Sequence, residues 1–93
     1  MKQQNILVIG SSNTDMVIRS SHLPAPGETV LGGPFMMNAG GKGANQAVAA
    51  AKLNGAVTFI ARLGKDVFGQ QAVADWQELG ICTDFIVTDA DTP

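Results

Sequence analysis

Residues 38–47 read N-A-G-G-K-G-A-N-Q-A, with three glycines within the four positions 40–43. Its closely spaced glycines allow the backbone to turn tightly and to approach a ligand. The small residues after them predict a helix over 44–53, which Asn54-Gly55 closes as a carboxyl-terminal cap. The stretch therefore predicts a sharp turn into a helix whose first N–H groups are free to bind.

Short apolar runs on either side of this helix indicate strands. Residues 5–9, N-I-L-V-I, predict a strand buried on both faces, as in a parallel sheet. Residues 57–61 and 85–87 predict a second and a third strand. A second helix over 66–79, with Asp66 as its N-cap, separates those two. This order indicates an α/β fold of the βαβαβ type, with a parallel sheet and flanking helices.

Residues 14–39, between the first strand and the glycine turn, form a predicted β lid. Short extended pieces are expected at 16–18, 28–31 and 34–38, with a proline-glycine turn or connector at 23–27. A partly apolar flap of this kind covers a ligand or meets a partner.

Composition excludes several classes of function. The 93 residues carry a net charge of −2, from 6 Lys and Arg against 8 Asp and Glu, so no basic face for nucleic acid is expected. The apolar runs are too short to span a bilayer, which predicts no membrane partner and a cytoplasmic setting. The single cysteine and single histidine form no metal-binding pattern, so no metal site is predicted.

The glycine turn is the first candidate binding element, comprising Gly40, Gly41, Lys42, Gly43 and Asn45. Lys42 adds a positive charge, and Asn45 adds a donor and an acceptor, at the start of a helix. The structural alternative is a tight turn with a solvated lysine. The turn matches neither the G-x-x-x-x-G-K-[ST] phosphate loop nor the G-x-G-x-x-G dinucleotide fingerprint.

Asn13 and Asp15 form the second candidate element. Alternate residues of an extended segment point to one side, so both side chains are expected to face one cleft. A carboxylate beside a carboxamide can bind vicinal hydroxyls. The alternative is an Asx turn at the end of the first strand. Together with the glycine turn, these residues favour binding of a small hydroxylated molecule.

Four segments resemble the ribokinase family, also called the PfkB carbohydrate kinases. They are G-S-S-N-T-D at 10–15, P-A-P-G-E-T at 24–29, G-G-K-G-A-N-Q-A-V-A-A at 40–50 and G-K-D-V-F-G at 64–69. The resemblance covers nearly the whole chain in the family's order and spacing. It implies a ribokinase-like α/β core with a small β lid.

The resemblance also implies an activity, the ATP-dependent phosphorylation of D-ribose to D-ribose 5-phosphate. It implies a homodimer formed through the lid, and ATP, Mg²⁺ and a monovalent cation (K⁺) as cofactors. At the positions that match the family's motif, the substrate-binding residues would be Asn13, Asp15, Gly40, Gly41, Lys42, Gly43 and Asn45.

The family's catalytic aspartate lies in a G-A-G-D motif near the carboxyl terminus, and this chain contains no such motif. We therefore expect residues 1–93 to be the amino-terminal, sugar-binding part of a longer kinase, without a catalytic residue and inactive alone. The cofactors are expected to bind mainly through the missing carboxyl-terminal half. The alternatives are a non-catalytic sugar-binding or dimerising module, and a kinase for another sugar or a nucleoside.

Overall fold

A computed structural model describes residues 3–93 and shows a parallel α/β arrangement with one antiparallel hairpin. Strand β1 pairs in parallel with β4, β5 pairs in parallel with β6, and β2 pairs antiparallel with β3. The elements are β1 (Asn5–Ile9), β2 (Asn13–Ile18), β3 (Phe35–Gly40), α1 (Lys42–Lys52), β4 (Ala56–Ile60), β5 (Arg62–Gly64), α2 (Val67–Glu78) and β6 (Val87–Asp89).

The segment after α2 runs alongside both β4 and β5. Cys82 forms a parallel bridge with Thr58, and the Val87 N–H donates to the carbonyl of Ala61 at 2.9 Å. Only Ala61 separates β4 from β5, so strand structure extends to Gly64, three residues beyond the end of the predicted second strand at residue 61. The third strand, predicted over 85–87, is observed as β6 and begins only at Val87.

Both helices pack on the same face of the sheet. Ala47 of α1 and Trp76 of α2 belong to one buried cluster with Phe59 of β4. The rings of Phe59 and Trp76 meet edge to face, with centroids 5.0 Å apart and planes at 80°. The core therefore lies between this face and the two helices.

Within residues 3–93 the other face of β1 is uncovered, which contradicts the prediction of a strand buried on both faces. Val8 points into the core and is buried, whereas Leu7 is 61% exposed and Ile9 is 72% exposed. Successive side chains of a strand point to opposite faces, and within residues 3–93 both helices cover the face of Val8.

The predicted helix caps are confirmed. After α1, Asn54 adopts a φ of 71°, and the Gly55 N–H donates to the Ala50 carbonyl at 2.9 Å. At the start of α2, the Asp66 side chain accepts a 2.9 Å hydrogen bond from the Gly69 N–H. Neither helix found within residues 3–93 combines the length and apolar character that crossing a membrane requires.

The long connection between β2 and β3 contains a tight turn at Ala25–Glu28, where the turn over 23–27 was predicted, but it contains no strand over 28–31. The Glu28 N–H donates to the Ala25 carbonyl at 2.9 Å, and the Glu28 carboxylate accepts from the Ala25 N–H at 3.0 Å. The same carboxylate lies 3.1 Å from Nε2 of His22. These contacts hold Glu28 in the turn, and the predicted strand over 28–31 is wrong.

Candidate functional site

The β2–β3 hairpin leaves the carboxyl end of β1 and returns directly into α1. Its register pairs Asn13 with Gly40 and Asp15 with Asn38. Residues directly opposite each other in an antiparallel pair share one face of the sheet, and alternate residues of a strand share it too. Asn13, Asp15 and Asn38 therefore lie on one face, which we call the carboxylate face.

The Asp15 carboxylate lies against the backbone of Gly40. A Cβ at position 40 would stand 2.8 Å from Cγ of Asp15 and would overlap a carboxylate oxygen. Gly40 is itself buried, whereas Asp15 is exposed. Because Gly40 has no side chain, the Asp15 carboxylate fits against it and still remains exposed to solvent.

The glycine turn packs directly on the residues that follow β1. Gly41 has a φ of 94°, a conformation that favours glycine, and a Cβ there would lie 2.7 Å from Cα of Ser12. A Cβ at Gly43 would lie 2.7 Å from Cα of Gly10. The end of β1 and the start of α1 therefore meet backbone to backbone.

Helix α1 begins at Lys42, two residues before the predicted start at Ala44, and it has no side-chain cap. The Ala44 N–H donates to the Ser11 carbonyl at 2.9 Å. Among residues 3–93, the N–H groups of Lys42 and Gly43 have no backbone acceptor. At this positive end of the helix, the exposed Lys42 therefore has a free N–H that can donate to an electron-rich ligand atom, whereas Gly43 is buried.

Two exposed polar side chains extend the site along α1. Lys42 and Asn45 are three residues apart, so they lie on the same side of the helix. Lys42 forms no ion pair with Asp15 in the part of the chain that the structure describes. The structure thus places a carboxylate, three carboxamides, an ammonium group and a free backbone N–H where the hairpin meets α1, and such groups hydrogen-bond hydroxyls.

The described residues do not supply a metal site. From residue 3 to residue 93, no group of three or more His, Cys, Asp or Glu side chains could hold a metal ion. The single histidine, His22, contacts Glu28 and Ser21 in the β2–β3 connection.

A separate cavity of about 250 Å³ lies between the hairpin and α2. Its lining includes Asn13 and Asn38 from the hairpin, with Phe68 and Gln71 from α2. The cavity also touches Thr14, Met37 and Ala39, which lie on the face of the hairpin opposite Asp15. Of the predicted site residues only Asn13 lines this cavity, and the predicted site is the open surface beside Asp15.

Asn38 was not among the predicted site residues. Its position follows from the pairing of β2 with β3, which no local pattern reveals. Successive side chains of β3 alternate between the two faces of the hairpin. This alternation puts Asn38 on the face of Asp15 only when the register between β2 and β3 is known.

The sequence model described as pfkB family carbohydrate kinase matches residues 3–93. The chain belongs to the pfkB family of carbohydrate kinases. The ribokinase of Bacillus subtilis (strain 168) is 45% identical over 83 residues, which are 89% of this chain and 28% of that protein. The deoxyribokinase of Salmonella typhi is 40% identical over 82 residues, which are 88% of this chain and 27% of that protein.

Solved structures of pfkB kinases share the fold. A structure of Arabidopsis thaliana ribokinase complexed with ribose and ATP matches with a TM-score of 0.88 and 34% identity, over 100% of this chain and 30% of that one. The predicted family and the ribokinase-like α/β fold class are therefore confirmed. The chain spans little more than a quarter of the length of the curated relatives it matches.

Proposed function

We propose that the complete protein carrying this chain is an ATP-dependent sugar kinase that phosphorylates D-ribose to D-ribose 5-phosphate. The observation that carries the proposal is the Asp15 carboxylate held against Gly40, next to the uncapped start of α1, in a pfkB chain 45% identical to a ribokinase. The proposal gives this chain the sugar-binding role, and it gives catalysis to residues outside 1–93.

Each polar group of the site has a distinct role in this proposal. The Asp15 carboxylate accepts hydrogen bonds from neighbouring sugar hydroxyls, and Asn13 and Asn45 both donate and accept. The backbone N–H and the ammonium of Lys42 at the start of α1 donate to hydroxyl oxygens. ATP with Mg²⁺ supplies the phosphoryl group, a monovalent cation assists, and these groups bind mainly outside this chain. The site thereby orients the ring so that one hydroxyl is left for transfer.

The second candidate is a kinase for a different sugar, which the 40% identity to a deoxyribokinase favours. Ribose and deoxyribose differ by one hydroxyl, and only a site that hydrogen-bonds this hydroxyl separates them strongly. The test is kcat/KM of the complete protein for ribose, deoxyribose, fructose and a nucleoside, measured through ADP release. We expect ribose to give the highest value. A higher value for another substrate would reassign the sugar, and binding without turnover would favour a non-catalytic module.

We further propose that the protein works in the cytoplasm as a homodimer formed through the lid. The face of the hairpin opposite Asp15 carries two apolar cross-strand pairs, Met16 with Met37 and Ile18 with Phe35. These side chains are 52–57% exposed, although they would gain by burial. Sedimentation of the complete protein should give a dimer, and Ile18→Asp should shift it to monomer. A monomeric wild type would contradict the dimer.

A further inference from the structure

We propose that Asn38 is a further sugar-binding residue, and that it contributes to specificity by hydrogen-bonding a hydroxyl next to Asp15. This inference rests on the proposed function, because it concerns the same site. It depends on three observations: the pairing of the hairpin, the free amide of Asn38, and the apolar pair that follows.

The register places Asn38 directly opposite Asp15. Opposed residues of an antiparallel pair have Cβ atoms about 4.5–5.5 Å apart on the same face. The Asp15 carboxylate leans towards Gly40, at the α1 end of the hairpin. The carboxylate and the Asn38 side chain therefore project from the same face of the hairpin, from directly opposed residues.

The two side chains have complementary hydrogen-bonding capacity. An ionised carboxylate only accepts, whereas a carboxamide offers two N–H donors and one acceptor oxygen. A sugar hydroxyl both donates and accepts, so it can donate to Asp15 while it accepts from Asn38. Within residues 3–93, the side-chain amide of Asn38 makes no hydrogen bond, which leaves its two N–H donors free for a ligand.

The polar part of the carboxylate face ends at Asn38. The next pair outward on this face is Val17 with Met36, and both side chains are apolar. Asp15 and Asn38 thus form the last polar pair before a surface that suits the C–H groups of a sugar. A residue at such a boundary contacts only hydroxyls at one end of the ring, and it therefore discriminates between sugars that differ there.

The test is calorimetric titration of the complete protein, without ATP, using D-ribose and its 2-deoxy and 3-deoxy analogues. Wild type is compared with Asn38→Ala and with Asn5→Ala, a control that removes an exposed asparagine of β1. We expect Asn38→Ala to raise the Kd for ribose roughly tenfold, as the loss of one hydrogen bond predicts. It should also reduce the discrimination against one deoxy analogue, while Asn5→Ala should match wild type.

An Asn38→Ala protein that binds ribose within twofold of wild type, with unchanged discrimination, would overturn the inference. Should that variant not fold, Asn38→Thr decides by the same comparison. If wild type binds ribose but transfers no phosphoryl group, the kinase proposal fails, and the Kd comparison still decides the role of Asn38. If wild type binds none of the three sugars, both the kinase proposal and the inference are overturned.

Discussion

The carboxylate of Asp15 lies against Cα of Gly40, across the two strands of the hairpin. This contact joins the two elements of the candidate site, because Gly40 is the last residue of β3 and Lys42 is the first residue of α1. The position of the Asp15 carboxylate therefore depends on the absence of a side chain at Gly40.

Replacing Gly40 should disturb sugar binding without touching any hydrogen-bonding group. In Gly40→Ala the new methyl overlaps the Asp15 carboxylate, which must rotate away. We expect ribose affinity to fall roughly 10–100-fold, as for other displacements of a positioning group. Gly33→Ala is the matched control, because a Cβ there has only an ordinary 3.6 Å contact with the Arg19 carbonyl. Equal ribose affinities for both variants would show that the contact is not needed.

Removing the carboxylate itself should have a comparable effect. Asp15→Ala deletes the acceptor for sugar hydroxyls, and hydrogen bonds to a charged group contribute about 1.5–3 kcal/mol. We expect calorimetry on the complete protein to show ribose binding weakened by roughly 10–100-fold. Asp84→Ala, which removes another exposed carboxylate, should leave the affinity unchanged. Wild-type affinity in Asp15→Ala would refute the assignment of this residue.

Local signals in the sequence predicted both helices and their caps well. Asp66 and Asn54 act within one turn of their own position, so their roles can be read from neighbouring residues. Non-local pairing was not predictable in the same way. The continuation of the strand through Leu63 depends on its partner Thr88, and the site position of Asn38 depends on Asp15. Both require a register that emerges only when distant segments meet.

The exposure of Leu7 and Ile9 illustrates a second limit of sequence patterns. A continuous apolar run predicts a strand covered on both faces, but it does not state what covers it. In residues 3–93, α1 and α2 lie on one side only. The apolar run over 5–9 was correctly predicted to be a strand, but the predicted burial of both of its faces is not found in residues 3–93.

The N-cap of α2 should contribute measurably to stability. Asp66→Ala removes the acceptor for the Gly69 N–H, and loss of such a cap costs about 1 kcal/mol. Denaturant unfolding of the complete protein should show this loss in the free energy of unfolding. Asp75→Ala, which removes only the exposed pair with Gln71, should change the free energy by less than about 0.5 kcal/mol. Equal effects of the two substitutions would argue against the cap.

Asp89 should make stability depend on pH in the acid range. The Asp91 N–H and then the Arg62 guanidinium hydrogen-bond its carboxylate, and they lower its pKa below the ordinary 3.8. Because the folded-state pKa is the lower one, the stabilisation is complete above the unfolded-state pKa. It is lost as pH falls through the folded-state pKa.

We expect Asp89→Asn to flatten this acid dependence. Melting temperatures from about pH 6 to about pH 3 would measure it, with Asp84→Asn as the control. Parallel curves for wild type and Asp89→Asn would mean that Asp89 does not contribute.

The most direct test of the central claim is ribose-dependent phosphoryl transfer from ATP by the complete protein, with the product identified by mass spectrometry. The account predicts stoichiometric formation of ADP and D-ribose 5-phosphate, with kcat/KM reduced in Asp15→Ala. A folded, complete protein that consumes no ATP in the presence of ribose, or that phosphorylates ribose equally well without Asp15, would contradict it.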